Sequence, residues 1–346
     1  MPIAYLKTAG LVAILLTLAA ATGRPAAAQV SSATVSNAPA QPFPEWLSEL
    51  RAEAARRGIS EAILVEAIDP IEPIPRVIEL DRNQPEFTLT FKEYLNRVAP
   101  DHRIATGRRK LAQNRPLLDA VARTYGVPPH VIVALWAIET DFGRLTGGFE
   151  VVPALATLAH DGRRSAFFRS QLFDALTILD EGHIAPSDMV GSWAGAMGQC
   201  QFMPSSFLSF AVDRDGDGRK DIWNNRADIF ASAANLLASN GWERGWTWGR
   251  PVRLPDVFDL GVEGLDTRKP LAEWQALGIR RIDGRNLPRA DIEASLLMPD
   301  GPDGPVFLVY NNFRVILSWN RSDYFALTVG FLADRIAGKN TIMFAK

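Results

Sequence analysis

From Glu45 onward the apolar positions recur three and four residues apart, and this period predicts a succession of helices. "PEWLSELRAEAARRG" carries it to Gly58, and "SEAILVEAI" follows with Ser60 placed as an N-cap, so a helical pair opens the folded part. Pro70, Pro73 and Pro75 then break the pattern. Further helices are expected at "FTLTFKEYLNRV", "TGRRKLAQNRPLLDAVARTYG", "PHVIVALWAIETDFG", "SAFFRSQLFDALTIL", "SSFLSFAV" and "ADIFASAANLLASNG", with Gly-rich and Pro-rich turns between them. From about Arg250 to Asp303 the texture changes to scattered Pro and Gly with short apolar runs. There "GPVFLVY" sets Val306, Leu308 and Tyr310 against Phe307 and Val309 in strand alternation. "YFALTVGFLADRIAG" closes the chain with another helix, and no stretch repeats another. The pattern predicts a mainly α fold of the α+β kind, with a small β-containing insertion at about residues 250–310.

The first 28 residues follow a different rule. Lys7, the apolar run "AGLVAILLTLAAA" and the small residues up to Ala28 read as an export signal cleaved near Ala28. A membrane anchor is the competing reading, but the run is shorter than the ~20 residues a spanning helix needs and leads into Gly, Arg and Pro. Residues 29–44, rich in Ser, Ala, Pro and Gln, are an expected flexible leader, which leaves 45–346 as the functional region. Export bears on Cys200, the only cysteine: no internal disulfide can form, so the core must supply the stability. Nor does a cysteine stand at the end of the signal to carry a lipid, so the expectation is a soluble exported protein with no membrane anchor after cleavage. Loss of Lys7 and Arg24 with the signal leaves 35 basic residues against 39 acidic ones, a formal charge of 35 − 39 = −4. That balance argues against a nucleic-acid partner.

Candidate chemistry begins in "VIVALWAIETDFGR", where an apolar run of eight residues ends in Glu139. A carboxylate held against apolar walls is destabilised as an anion, so its pKa rises and it keeps its proton near neutral pH, as a general acid must. Trp136 lies about one turn earlier on the same side, and Ile138 and Phe142 add apolar surface. A capping or salt-bridged glutamate is the bland alternative. The apolar run, and the "TDFGR" stop in which Gly143 ends the helix, favour the acid. Asp141, two residues on, points to another face and is a poor second member of a carboxylate pair.

A second constellation is "GSWAGAMGQCQFMPSSF", Gly191 to Phe207. Glycines let a backbone come close to a ligand, Ser192, Gln199, Gln201 and Ser206 offer neutral hydrogen bonds, and Trp193, Phe202 and Met203 add flat or adaptable apolar surface. The mixture suits neutral sugar rings; an irregular loop with core Met and Phe has equal standing. Cys200 reads as a small packed side chain, since no base or second thiol is near it in sequence. His102, His130, His160 and His183 show no metal spacing. The tryptophans of "GWERGWTWGR" read as packing ahead of a sugar platform.

Three segments, "ALWAIETDFGR", "GSWAGAMGQCQFMPSSF" and "DRDGDGRKDIWNNRADIFASAANLLASNGW", resemble in order and spacing the lytic murein transglycosylase B family, and the resemblance runs from about Glu45 to the end. It implies a lysozyme-like catalytic core in the periplasm, acting on peptidoglycan glycan strands, with other cell-wall enzymes as possible partners. The implied reaction cleaves the MurNAc-GlcNAc β-1,4 bond and leaves a 1,6-anhydromuramoyl end. Glu139 acts as acid on the leaving O4 and then as base on the C6 hydroxyl of the same muramoyl unit, and no cofactor is needed for catalysis. By motif, the resemblance assigns sugar binding to Tyr94, Arg163, Arg164, Ser192, Met197, Gln201, Phe202 and Met203, and to Trp319, Asn320 and Tyr324 near the C terminus. Two departures stand out: Leu236 where the family commonly has an aromatic, and Gln199-Cys200 where it has Tyr-Gly.

"DRDGDGRKD" places Asp213, Asp215 and Asp217 at alternate positions with Gly218 next, like the start of an EF-hand loop. Asn224 stands where the bidentate glutamate would be. The resemblance closes the site with Asp228 and adds the Arg219 carbonyl as a ligand, so structural Ca²⁺ is expected; a metal-free surface turn is the alternative. Two rival functions stand beside the transglycosylase: a goose-type muramidase using water, and a non-catalytic glycan-binding scaffold for cell-wall enzymes.

Overall fold

The computed structural model describes residues 41–83 and 89–339; the export signal at 1–28 and the leader up to residue 40 lie outside the described residues. Helix α1 (Phe43–Arg56) begins inside the expected leader, because Pro44 sits in its first turn, where a missing N–H costs no hydrogen bond. The short α2 (Glu61–Ile63) runs on into a π-helical turn over Leu64–Ile68. The same logic reverses the reading of Pro75: it starts α3 (Pro75–Arg82), where no helix was expected. Helix α4 (Phe91–Val98) starts later than its pattern suggests, at a capping box in which Thr90 and Glu93 exchange backbone amides. The single long helix expected from "TGRRK" to "RTYG" is two, α5 (Asp101–Gln113) and α6 (Arg115–Tyr125). Asn114 breaks them, and Pro116 lies in the first turn of the second.

Next comes α7 (Pro129–Thr140), in which every residue from Val131 to Thr140 is buried. A helix with no polar face must sit in the middle of the molecule, and α5, α6, α11 (Arg226–Ser239) and α14 (Asp323–Ile336) pack around it. Between them run α8 (Val151–Asp161), α9 (Ser165–Asp180) and α10 (Pro204–Phe210). Strands β1 (Phe149–Glu150) and β2 (Val190–Gly191) pair antiparallel, with Phe149 opposite Gly191, and tie the start of α8 to the glycine-rich loop. Helices α8 and α13 (Asn311–Trp319) were not anticipated.

The predicted β region is a five-stranded antiparallel sheet. Its strands β3 (Gly249–Arg253), β4 (Lys269–Pro270), β5 (Arg280–Arg281), β6 (Glu293–Leu297) and β7 (Val306–Val309) lie in the order β4-β6-β7-β3-β5. Leu296 faces Leu308, and Val252 faces Val306. Helix α12 (Leu271–Ala276) packs beside β4. The alternation in "VFLVY" serves two cores at once. Val306, Leu308 and Tyr310 join a small core with Trp274 and Ile279, whereas Phe307 and Val309 join the main helical core. Burial on both faces fastens the insertion to the helical body. Among the described residues, no helix is long and apolar enough to cross a membrane.

Candidate active site

Glu139 lies in the last turn of α7 and is 4% exposed. Burial pushes its carboxyl up to about 8, against a smaller downward pull from a hydrogen bond with the Trp319 side chain. Helix α7 ends at Thr140 because three consecutive residues turn left-handed: Asp141 (φ 49°), Phe142 (φ 63°) and Gly143 (φ 84°). Gly143 is therefore not what stops the helix. Its role is close approach, since a Cβ there would lie 2.3 Å from Gln199 Oε1. Asp141 is held by Arg144 and, at 3.6 Å, by Arg103, so its charge is matched away from Glu139.

Gln199 was a sequence departure; the structure makes it a clasp. Its Oε1 accepts from the Trp136 indole N–H at 2.7 Å, and its Nε2 donates to the Trp223 carbonyl at 2.7 Å. Its backbone N–H donates to Ile222, and its carbonyl accepts from the Thr140 hydroxyl at 3.1 Å. All these groups are committed within the protein, so the end of the acid helix is tied to the glycine-rich loop and through it to the segment around Trp223. Sequence alone marked Gln199 as a departure from the family and as a neutral hydrogen-bonding group for a ligand; its side chain is instead spent on Trp136 and Trp223.

The aromatic residues gather around the acid. Phe202 packs on Trp319 with ring centroids 5.3 Å apart, and Tyr94 on α4 packs on Tyr324 at 5.7 Å. Burial, and then the nearby Glu139 charge, push the Tyr94 phenol up to about 12, which puts its hydroxyl within electrostatic reach of the acid. Tyr324 donates to Asp300 at 2.8 Å, and the same carboxylate accepts the Phe91 amide, so α4 and α14 share one anchor. Asn320 caps the following turn by accepting the Ser322 N–H.

In the loop, Met197 and Phe202 pair across a tight bridge and are buried at 0% and 2% exposure. Ser192 accepts the Ala196 amide. Gln201, itself left-handed, donates to Thr146 and Gly198. Met203, half-buried, precedes α10. The glycines serve chain-to-chain packing; a Cβ at Gly191 would lie 2.2 Å from the Ala196 carbonyl. Cys200 is buried, donates to Ile229, and burial pushes its thiol up, as befits a packed side chain.

Arg163 and Arg164 are placed differently. Both meet Asp81, buried at the end of α3, with Arg163 at 3.1 Å and Arg164 at 2.5 Å. This joins α3 to the start of α9 and gives the pair an internal counter-charge. Tyr94, Glu139, Phe202, Trp319 and Tyr324 are thus linked in one contiguous set, whereas the side-chain hydrogen bonds of the arginines go to Asp81.

Compared with known proteins, residues 42–334 match the family described as Transglycosylase SLT domain. The chain belongs to that family. It is 31% identical over 238 residues to the membrane-bound lytic murein transglycosylase B of Escherichia coli (strain K12), an overlap of 65% of this chain and 61% of that protein. The chain thus spans about three fifths of the length of that relative. Its fold is similar to the crystal structure of SltB3 from Pseudomonas aeruginosa in complex with NAG-anhNAM-pentapeptide, with TM-score 0.86 and 43% identity, covering 88% of this chain and 82% of that one. It is also similar to the Escherichia coli lytic transglycosylase Slt35 in complex with calcium, with TM-score 0.72 and 27% identity, covering 86% and 93%.

Within this transglycosylase SLT fold the acidic loop forms a second candidate centre. Carboxylate oxygens of Asp213, Asp215 and Asp217 lie within 4.8 Å of one another. Asp213 accepts the amides of Gly216 and Gly218, Asp217 that of Arg219, and Asp215 the side-chain amide of Asn225. Asp228 is fully buried in the first turn of α11, where its two oxygens accept the Arg214 and Asp221 amides at 2.7 and 2.8 Å. Burial first, and the charges of Asp215 and Asp213 after it, raise its pKa against the pull of those amides. An all-oxygen donor set with an excess of negative charge fits a hard divalent cation. The loop leads into Ile222 and Trp223, the two residues that Gln199 grips.

Proposed function

We propose that this protein is a lytic transglycosylase of peptidoglycan, cleaving the MurNAc-GlcNAc β-1,4 bond with formation of a 1,6-anhydromuramoyl end. The observation that carries the reading is a buried glutamate whose pKa is set by burial and one hydrogen bond, without a contribution from a neighbouring carboxylate. Double-displacement and inverting glycosidases both need a second carboxyl group. An intramolecular nucleophile does not. Glu139, protonated at neutral pH, gives its proton to O4 as the C1–O4 bond breaks. The resulting carboxylate then takes the proton of the C6 hydroxyl as O6 bonds to C1. The net transfer is one proton from O6 to O4, and no water is consumed. Both nucleophile and electrophile belong to one sugar unit, so proximity replaces activation of a water.

In this reading Trp319 steadies the carboxylate between the two steps, and the rings of Tyr94, Phe202 and Tyr324 shape an apolar wall that keeps the acid protonated. Ser192, Met197, Gln201 and Met203 hold that wall from the loop, and Asn320 sets the turn beside Trp319. Arg163 and Arg164 would meet charged peptide only at the seam they form with Asp81. Asp213, Asp215 and Asp217, backed by Asp228 and the Arg219 carbonyl, would hold a structural Ca²⁺ that stiffens the segment gripped by Gln199. Residues 1–28 are proposed to export the protein to the periplasm.

The deciding experiment is mass analysis of muropeptides released from purified peptidoglycan. Anhydro ends, lighter than hydrolysed ends by one water, are expected from the wild-type protein and none from Glu139→Gln. Reducing ends alone would replace the transglycosylase reading with a muramidase, and release by Glu139→Gln would remove Glu139 from the chemistry.

A further inference from the structure

Two cavities share Trp246 in their lining, and the smaller lies at the end of α7 opposite Glu139. One, of about 210 Å³, is bounded by His130, Trp242, Trp248 and the Asp334–Lys339 ion pair. The other, of about 310 Å³, is lined by Glu243, Arg268, Asp291, Glu293 and Arg314. Trp246 borders both and is 42% exposed. His130 precedes Glu139 by nine residues on the same helix, which separates them by about 13 Å along its axis.

A single exposed tryptophan is ordinary; this one is presented rigidly. Asn312, with no solvent exposure, accepts the Glu243 amide at 2.8 Å and donates to the Glu243 and Trp246 carbonyls at 3.0 and 2.9 Å. Asn311 and Arg244 pin the same loop at Gly241 and Arg123. The ring is therefore held out without the entropy cost of ordering a loop on binding. Beneath it, Trp242 carries an indole N–H with no acceptor among the described residues. Burial, chiefly, lowers His130 to about 4, so a neutral imidazole with one donor and one acceptor faces the smaller cavity.

The exposed Trp246 indole, beside a neutral imidazole and a carboxylate, is the chemistry that takes a pyranose ring, whose C–H face stacks while its hydroxyls pair. Charges of both signs across the Trp246 ridge suit a short peptide bearing ammonium and carboxylate groups. We propose that Trp246 marks a second ligand site, outside the cleft of Glu139, which takes an amino sugar carrying a charged peptide. The site would keep the protein on its polymer between cuts. The identity of that polymer rests on the proposed function.

The test uses Glu139→Gln protein, titrated calorimetrically with a disaccharide-tetrapeptide and with peptide-free chitotetraose. Two sites for the glycopeptide are expected, and one after Trp246→Ala is added. Arg268→Ala, at an exposed residue, should weaken the second site about tenfold for the glycopeptide and leave chitotetraose unaffected. With Glu139 intact, Trp246→Ala should cleave soluble substrate at the wild-type rate while being retained less on insoluble sacculi. A single glycopeptide site in Glu139→Gln protein, or a site count untouched by Trp246→Ala, would overturn the proposal, as would equal loss of both ligands with Arg268→Ala. These readouts do not depend on cleavage, whereas failure of the catalytic reading would show as missing anhydro ends from the wild-type protein.

Discussion

Glu139 and the acidic loop put one functional group into opposite surroundings. Glu139 is walled by apolar side chains, and burial drives its pKa up to about 8. In the loop Asp213 is partly buried and Asp215 and Asp217 are exposed, with the buried Asp228 behind them. At Asp213 burial also pulls upward, but hydrogen bonds from the Gly218, Gly216 and Asp217 amides outweigh it and hold the carboxyl below the usual range. What replaces the water around a carboxylate therefore decides its use. Apolar walls store a proton, which is a reagent; backbone amides store a negative charge, which is a place for a cation. The two regions are joined by Gln199, whose side chain touches the acid helix at Trp136 and the loop segment at Trp223.

The strongest break in that contrast is Glu139→Gln. Loss of a general acid and base costs on the order of 10² to 10⁴ in rate, read by muropeptide release. The same variant should be more stable than wild type at pH 7. Between the ordinary carboxyl value and about 8 the folded protein keeps a proton that the unfolded chain has lost, so stability falls as pH rises through that window. The penalty removed is roughly 3 kcal/mol at pH 7. Thermal melts should show a gap that closes near pH 4; a gap of equal size at pH 4 and pH 7 would deny the buried proton.

Gln199→Ala attacks the junction. It leaves the Trp136 indole N–H without its acceptor, at about 1–3 kcal/mol, and should lower both melting temperature and turnover. Unaltered turnover would mean that the acid helix needs no clasp. Calcium sharpens the other side of the comparison: a hundredfold excess over its dissociation constant should add about 2.7 kcal/mol of stability in a melt, and Asp213→Asn should erase that gain. The smallest effect is that of Trp319→Phe. Removing the hydrogen bond that lowers the Glu139 pKa should move the alkaline limb of the pH–rate profile upward by roughly one unit; a downward move would place the indole in another role.

Much of this was legible along the chain, for identifiable reasons. The eight apolar residues before Glu139 read as a buried helix, which the structure bears out, and a buried helix ending in an acid predicts a raised pKa. The alternation of "VFLVY" announced a strand, and the Asp213-Asp215-Asp217 spacing announced a convergence of carboxylates. Elsewhere the local signal was ambiguous. Pro75 reads as a breaker, yet in a first turn it is a starter, so α3 went unseen. The glycines from Gly191 to Gly198 read as room for a ligand, yet their Cβ positions are filled by the protein itself. Arg163 and Arg164 were assigned to sugar by resemblance, and no local pattern told that Asp81, some eighty residues earlier, would meet them.

Sequence by itself determined which segments are buried and which residue types could do chemistry, because burial pattern and ionisation follow from local periodicity and composition. Only the tertiary structure decided which of those residues share a site. Glu139 meets Trp319 across 180 residues of chain, and Gln199 binds Trp136 across 63, and no local pattern encodes such pairings. They exist because packing brings α7, α13 and the glycine-rich loop together, and a hydrogen bond forms only where geometry has already placed donor and acceptor within about 3 Å.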